Sequence, residues 1–133
     1  MKDLVIELDS VVLTFLDDAI VHARFREGKA ADKDQVHAMF EAIAGARGGR
    51  KALLLVSFDK DATLTNEARA YASSPESSEY IAADAILLRD FGHQLSANAF
   101  VRVNKPDRPI QLFAEMDAAI TWLKDQKHLL NEA

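Results

Sequence analysis

Ala52-Leu53-Leu54-Leu55-Val56-Ser57-Phe58 decides the fold, because Ser57 is the one polar residue in the run. Successive side chains of a strand point to opposite faces. A run that is apolar on both rows is expected in a strand covered on both sides, as in parallel sheets. Parallel neighbours are joined by a crossover, usually a helix, and the preceding residues supply one. Val36, Met39, Phe40 and Ile43 follow the i, i+3, i+4, i+7 spacing of one helix face, and Gln35 stands three places after Asp32 as in a capping box. Gly45 and then Gly48-Gly49 are expected to end this helix, since glycine reaches the left-handed conformation at little steric cost.

Upstream, residues 4–25 hold three short runs rich in Val, Ile, Leu and Phe, broken at Asp9-Ser10 and Asp17-Asp18. Turn-favouring residues at both breaks predict a three-stranded antiparallel meander. In the third run Ala19, Val21, Ala23 and Phe25 make an apolar row, while the other row turns polar after Ile20, at His22 and Arg24.

Downstream, Thr65 is placed to cap a helix over residues 66–71 that yields at Ser73-Ser74-Pro75, with a second short helical piece over 76–81. A strand is expected over 83–88 and a helix over 91–103, where Phe91, Leu95 and Ala99 share a stripe that Phe100, Val101 and Val103 widen. Pro106 and Pro109 stiffen the next loop, and residues 110–113 read as a short edge strand. The last helix starts near 115–117 and buries Ala119, Ile120 and Leu123, with Lys124, Lys127 and His128 complementing the dipole at its end. The expected fold is therefore α/β. A mixed sheet has N-terminal antiparallel strands followed by β-α units, with helices packed against it, in a single domain over residues 1–133.

A chain of 133 residues is long enough to bury one core unaided. The absence of cysteine removes disulfides and thiol chemistry and fits a reducing compartment. The opening MKDLVIELDS has no apolar run of signal-peptide length and no stretch approaches a membrane span, so a cytoplasmic protein is expected. Sixteen Lys plus Arg against 21 Asp plus Glu give a net charge of -5, which repels nucleic acid.

Each group of chemistry-bearing residues has a plain alternative. Asp59 and Asp61, just past the carboxyl end of the central run, could hold a ligand or Mg²⁺, but read first as a solvated loop. His22, His37, His93 and His128 lie on four separate elements without the pairing of a zinc site. His93, at a strand-to-helix turn after Arg89, Asp90 and Gly92, suits a binding site or an ordinary polar turn. The glycines at 45, 48 and 49 with Arg47, Arg50 and Lys51 run from helix to strand, the reverse of a phosphate loop, and read as a helix end. Ser73 to Ser78 around Pro75 reads as a helix break, and no nucleophile elbow occurs. Phe91, Leu95, Phe100, Val101, Val103 and Trp122 exceed what one helix face needs to cover a sheet. They form an exposed patch for a partner or a second copy, or are buried by the edge strand and last helix.

This order of elements resembles the STAS domain, the fold of the SpoIIAA-like anti-sigma-factor antagonists. It is similar in particular to small uncharacterised bacterial members, on the tail Asn104-Lys105-Pro106, Pro109, Leu112-Phe113, Ala119 and Trp122-Leu123. The resemblance implies a regulatory or protein-interaction domain. The family's switch is an Asp-Ser-Ser-Gly turn whose serine is phosphorylated, and here the stretch reads Thr63-Leu64-Thr65-Asn66-Glu67-Ala68. Thr65 is the candidate substitute for that serine. The expectation is thus a non-enzymatic domain without the usual phosphoserine switch and without cofactors, forming a homodimer or binding a protein through the apolar patch. The alternative is a carrier of a small apolar molecule or lipid, with Leu95, Phe100 and Val103 as walls and Arg102 or Arg108 meeting an anionic head group. An enzyme built on Asp59, Asp61 and His93 ranks third.

Overall fold

The computed structural model describes residues 4–89 and 108–130. In chain order these form β1 (Val5–Glu7), β2 (Val11–Phe15), β3 (Ile20–Phe25), β4 (Ala30–Ala31) and α1 (Lys33–Arg47). There follow β5 (Ala52–Phe58), β6 (Thr63–Leu64), α2 (Asn66–Ala72), a 3-10 turn (Ser77–Glu79) and β7 (Ile81–Leu87). β8 (Ile110–Phe113), α3 (Met116–Asp125) and a closing 3-10 turn (Lys127–Leu130) complete the described elements.

The main sheet runs β1-β2-β3-β5-β7-β8. β1, β2 and β3 form the antiparallel meander, with Val5 opposite Thr14 and Val11 opposite Phe25. From β3 onward every pairing is parallel, so the meander joins directly to β-α units. Among the described strands β8 lies at one edge and β1 at the other. β4 and β6 make a separate two-stranded parallel pair. The expected mixed α/β sheet is present; the helix expected over residues 91–103 lies outside the described residues.

Local chemistry sets the boundaries. The Asp32 carboxylate accepts from the Gln35 N–H at 2.8 Å, and the Gln35 side chain accepts from the Asp32 N–H at 3.0 Å, closing the capping box at the start of α1. Gly48, not Gly45, ends that helix: its φ is 65° and its N–H reaches the Ala44 carbonyl. Gly45 stays inside the last turns, where the helix tolerates it at some entropic cost. The piece expected over 76–81 shortens to the 3-10 turn, because Ile81 already pairs with Ala52 at the start of β7.

Alternation along β5 feeds two cores. On one face Ala52 and Leu54 join Val11, Leu13, Phe15, Val21, Ala23 and Phe25 beneath Val36, Met39, Phe40 and Ile43 of α1 and Ala68 and Tyr71 of α2. On the other, Leu53 and Leu55 join Ile20, Ala83 and Ala85 beneath Ala119 and Leu123 of α3. Each such fully buried Leu or Ile contributes roughly 1.5–3 kcal/mol. α3 packs on β7 and β5, leaving a different chemistry where β3 and β5 run on toward their carboxyl ends.

Candidate functional site

β3 and β5 lie side by side and parallel, with His22 opposite Leu55 and Arg24 opposite Ser57. Alternation puts His22, Arg24, Leu55 and Ser57 on the α3 side of the sheet. There the apolar row ends in a polar group. His22 Nε2 and Ser57 Oγ are 2.7 Å apart, a hydrogen bond between half-buried side chains. Just past the end of β5, the Arg24 guanidinium forms an ion pair with the Asp59 carboxylate, and Arg89 Nη1 donates to the Asp59 carbonyl at 2.9 Å. Arg24, Ser57 and Asp59 sit at the carboxyl ends of parallel β3 and β5, with His22 at mid-strand just before them, near where open α/β sheets commonly bind ligands.

The electrostatics give the pair a direction. Burial holds His22 below the ordinary histidine value, the nearby Arg24 cation adds to this, and Asp59 opposes it. At neutral pH the imidazole is therefore uncharged. In the tautomer that carries its proton on Nδ1, Nε2 accepts a hydrogen bond from the Ser57 hydroxyl. Arg24 and Asp59 are about half and one-third exposed, so their mutual attraction is worth no more than about 1 kcal/mol. Its main effect is to fix the Arg24 side chain at the register position opposite Ser57.

The sequence-selected residues fall in different places. Asp59 belongs to this cluster, but as the partner of Arg24. Asp61 is exposed in the following turn at φ 62°. Among the described residues no group of three or more His, Cys, Asp or Glu could hold a metal. Thr65 caps α2, its Oγ1 accepting from the Ala68 N–H at 3.1 Å. Trp122 is half-buried, its ring 5.7 Å from that of Phe113. Phe91, His93, Leu95, Phe100, Val101, Arg102 and Val103 lie outside the described residues.

Arg108 corrects an expectation. It is no surface cation for a head group. Its Nε donates to Asp84 at 2.6 Å, Nη1 to the Ser77 and Ser78 hydroxyls at 2.7 and 3.0 Å, and Nη2 to the Ala72 carbonyl at 2.7 Å. Every guanidinium nitrogen is committed inside the fold. Burial pushes the Asp84 carboxyl above the usual range, and the adjacent Arg108 pulls it back.

A second polar group ties α1 to α2. His37 Nδ1 lies 2.6 Å from the Tyr71 hydroxyl, which donates to Glu76 at 2.8 Å. Tyr80 donates to Glu41 at 2.7 Å, and that bond pushes the Tyr80 hydroxyl up to about 12. Beside it, Lys33, Glu67, Tyr71, Ser74 and Glu76 line an open cleft of about 440 Å³.

The His22–Ser57 pair was missed because the two residues stand 35 positions apart. Two signals marked it: the one polar residue in the central run, and the polar half of the second row of β3. Among the described residues no helix is long and apolar enough to cross a membrane. No curated protein and no solved structure matches the chain. One family model matches, over residues 14–127, a stretch that contains β3, β5 and the whole polar cluster. The chain belongs to that family, a domain of unknown function designated DUF7793.

Proposed function

We propose that this chain is a STAS-like regulatory or protein-interaction domain, cytoplasmic, which acts by binding a protein or a second copy of itself. The observation that carries this reading is the connectivity. An antiparallel ribbon of three strands passes through β3 into parallel strands β5, β7 and β8, with α1 and α2 on one face and α3 on the other. Three strands, a helix, a central strand, a helix, a strand, and then a short strand and a last helix support this reading as far as the described residues go. Thr65 supports a domain without the phosphoserine switch, since its hydroxyl is already used as the α2 cap. Residues 91–103, with Trp122, are the proposed contact surface.

Size-exclusion chromatography with light scattering tests this reading. A dimer is expected. Replacing Phe100 and Val101 together with Glu should give a monomer that stays folded by circular dichroism. A wild-type monomer at high micromolar concentration would remove the self-association part and leave binding to a different protein.

A further inference from the structure

The polar group at the ends of β3 and β5 contains the elements of nucleophilic chemistry: a hydroxyl, a base bonded to it and a cation alongside. We infer that Ser57 is a nucleophile, activated by His22, that accepts an acyl group from an activated donor such as an aryl ester, a thioester or an acyl phosphate. The inference concerns one covalent transfer onto the chain, not a catalytic cycle, and it is independent of the partner-binding reading.

Three observations carry it. The His22 Nε2 to Ser57 Oγ distance of 2.7 Å is within the range a general base needs to take the proton. Arg24 stands directly opposite Ser57 in the strand register, and its ion pair with Asp59 fixes guanidinium N–H donors at that end of the sheet, a hydrogen-bonding group for the negative charge that develops on the attacked carbonyl. Both Ser57 and His22 are half-buried, so the hydroxyl is partly desolvated and still open to a small electrophile. The lowered proton affinity of His22 agrees with this, because the base form is then the populated one at neutral pH.

Ser57 Oγ attacks the acyl carbon while its proton passes to His22 Nε2. The tetrahedral adduct collapses with cleavage of the bond to the leaving group. His22 returns the proton to the departing phenol, thiol or phosphate, leaving an ester on Ser57.

The full chain is treated with p-nitrophenyl acetate, nitrophenolate release is followed, and the acetylated residue is located by peptide mass spectrometry. A burst of one equivalent is expected, with the acetyl group on Ser57. Ser57→Ala should abolish the burst, and His22→Gln should slow it by about 100-fold. In the wild type the burst rate should rise with pH through a midpoint below the ordinary histidine value of about 6.5. Ser57→Cys keeps a nucleophile at the same position and should retain labelling there. It keeps the test decisive if His22→Gln fails to fold, as judged by circular dichroism. Acetylation confined to lysines or the N-terminal amine, with wild type and Ser57→Ala reacting alike, would overturn the inference. A folded His22→Gln reacting at the wild-type rate would overturn the role of His22.

Discussion

Arg108 and Asp84 form a buried ion pair, Nε to Oδ2 at 2.6 Å, with side chains 6% and 7% exposed. The pair joins the approach to β8 to the middle of β7, and Arg108 extends the tie to the α2–β7 connection through Ser77, Ser78 and the Ala72 carbonyl. Removing one charge strands the other in the interior. Arg108→Met should therefore destabilise the fold by about 3–5 kcal/mol. Adding Asp84→Leu should recover part of that loss, because the stranded carboxylate goes with it. Urea denaturation of wild type, both single variants and the double variant measures the coupling. A double variant no more stable than Arg108→Met would refute the stranded-charge account.

The helix caps and the central strand were legible because they rest on short-range chemistry. Asp32 with Gln35, Thr65 with Ala68, and the apolar run of β5 each announce themselves within a few residues. The two cores were legible from alternation, since Leu54 and Leu55 have to face opposite ways. What was not legible depends on register. Nothing local says that Arg108 turns inward, because its acceptors on Ala72, Ser77, Ser78 and Asp84 belong to the α2–β7 stretch and only the β7–β8 pairing brings Arg108 to them. The pairing of His22 with Ser57 likewise follows from β3 lying parallel to β5, an arrangement the sequence implied, in a register it did not specify.

Thr65 caps α2 through one hydrogen bond, and α2 has only seven residues over which to spread the loss. Thr65→Ala should cost about 1 kcal/mol, whereas Thr65→Ser and Thr65→Asp should cost less, since each retains an acceptor for the Ala68 N–H. Thermal melts of the three variants rank them. Equal losses in all three would mean that the methyl group of Thr65 matters and its oxygen does not.

Asp17 and Lys127 separate the value of a charge from the value of a turn. The Asp17 carboxylate accepts from the Ala19 and Ile20 N–H groups at 2.8 Å each, and from Lys127 at 2.9 Å. Burial raises its proton affinity, but the bonds from Lys127 and the two backbone groups outweigh this and leave the carboxyl below the usual range. The stability it contributes is thus complete above the ordinary Asp value and is lost as the pH falls through the lower, folded-state value. Lys127→Ala should change stability by less than about 1 kcal/mol, since that partner is solvent-exposed. Asp17→Ala should cost more, because it leaves two turn N–H groups without their acceptor. Equal effects of the two substitutions at neutral pH would show that the Lys127 charge, not the turn, carries the energy.

His22 makes stability depend on pH in the opposite direction from a salt-bridged histidine. Its folded-state value lies below the ordinary one of about 6.5, mainly because burial disfavours the imidazolium. Between these two values the unfolded chain binds more protons than the folded one, so stability rises with pH and levels off above about 6.5. One such group sets a slope of at most about 1.4 kcal/mol per pH unit. His22→Gln removes the titration and retains a side chain that can hydrogen-bond to Ser57. The difference in unfolding free energy between wild type and His22→Gln should therefore move against the wild type as the pH is lowered from 7 to 5. A constant difference across that range would mean that the imidazole is equally easy to protonate in both states, and the Ser57 hydroxyl would then face a base that is charged in mild acid.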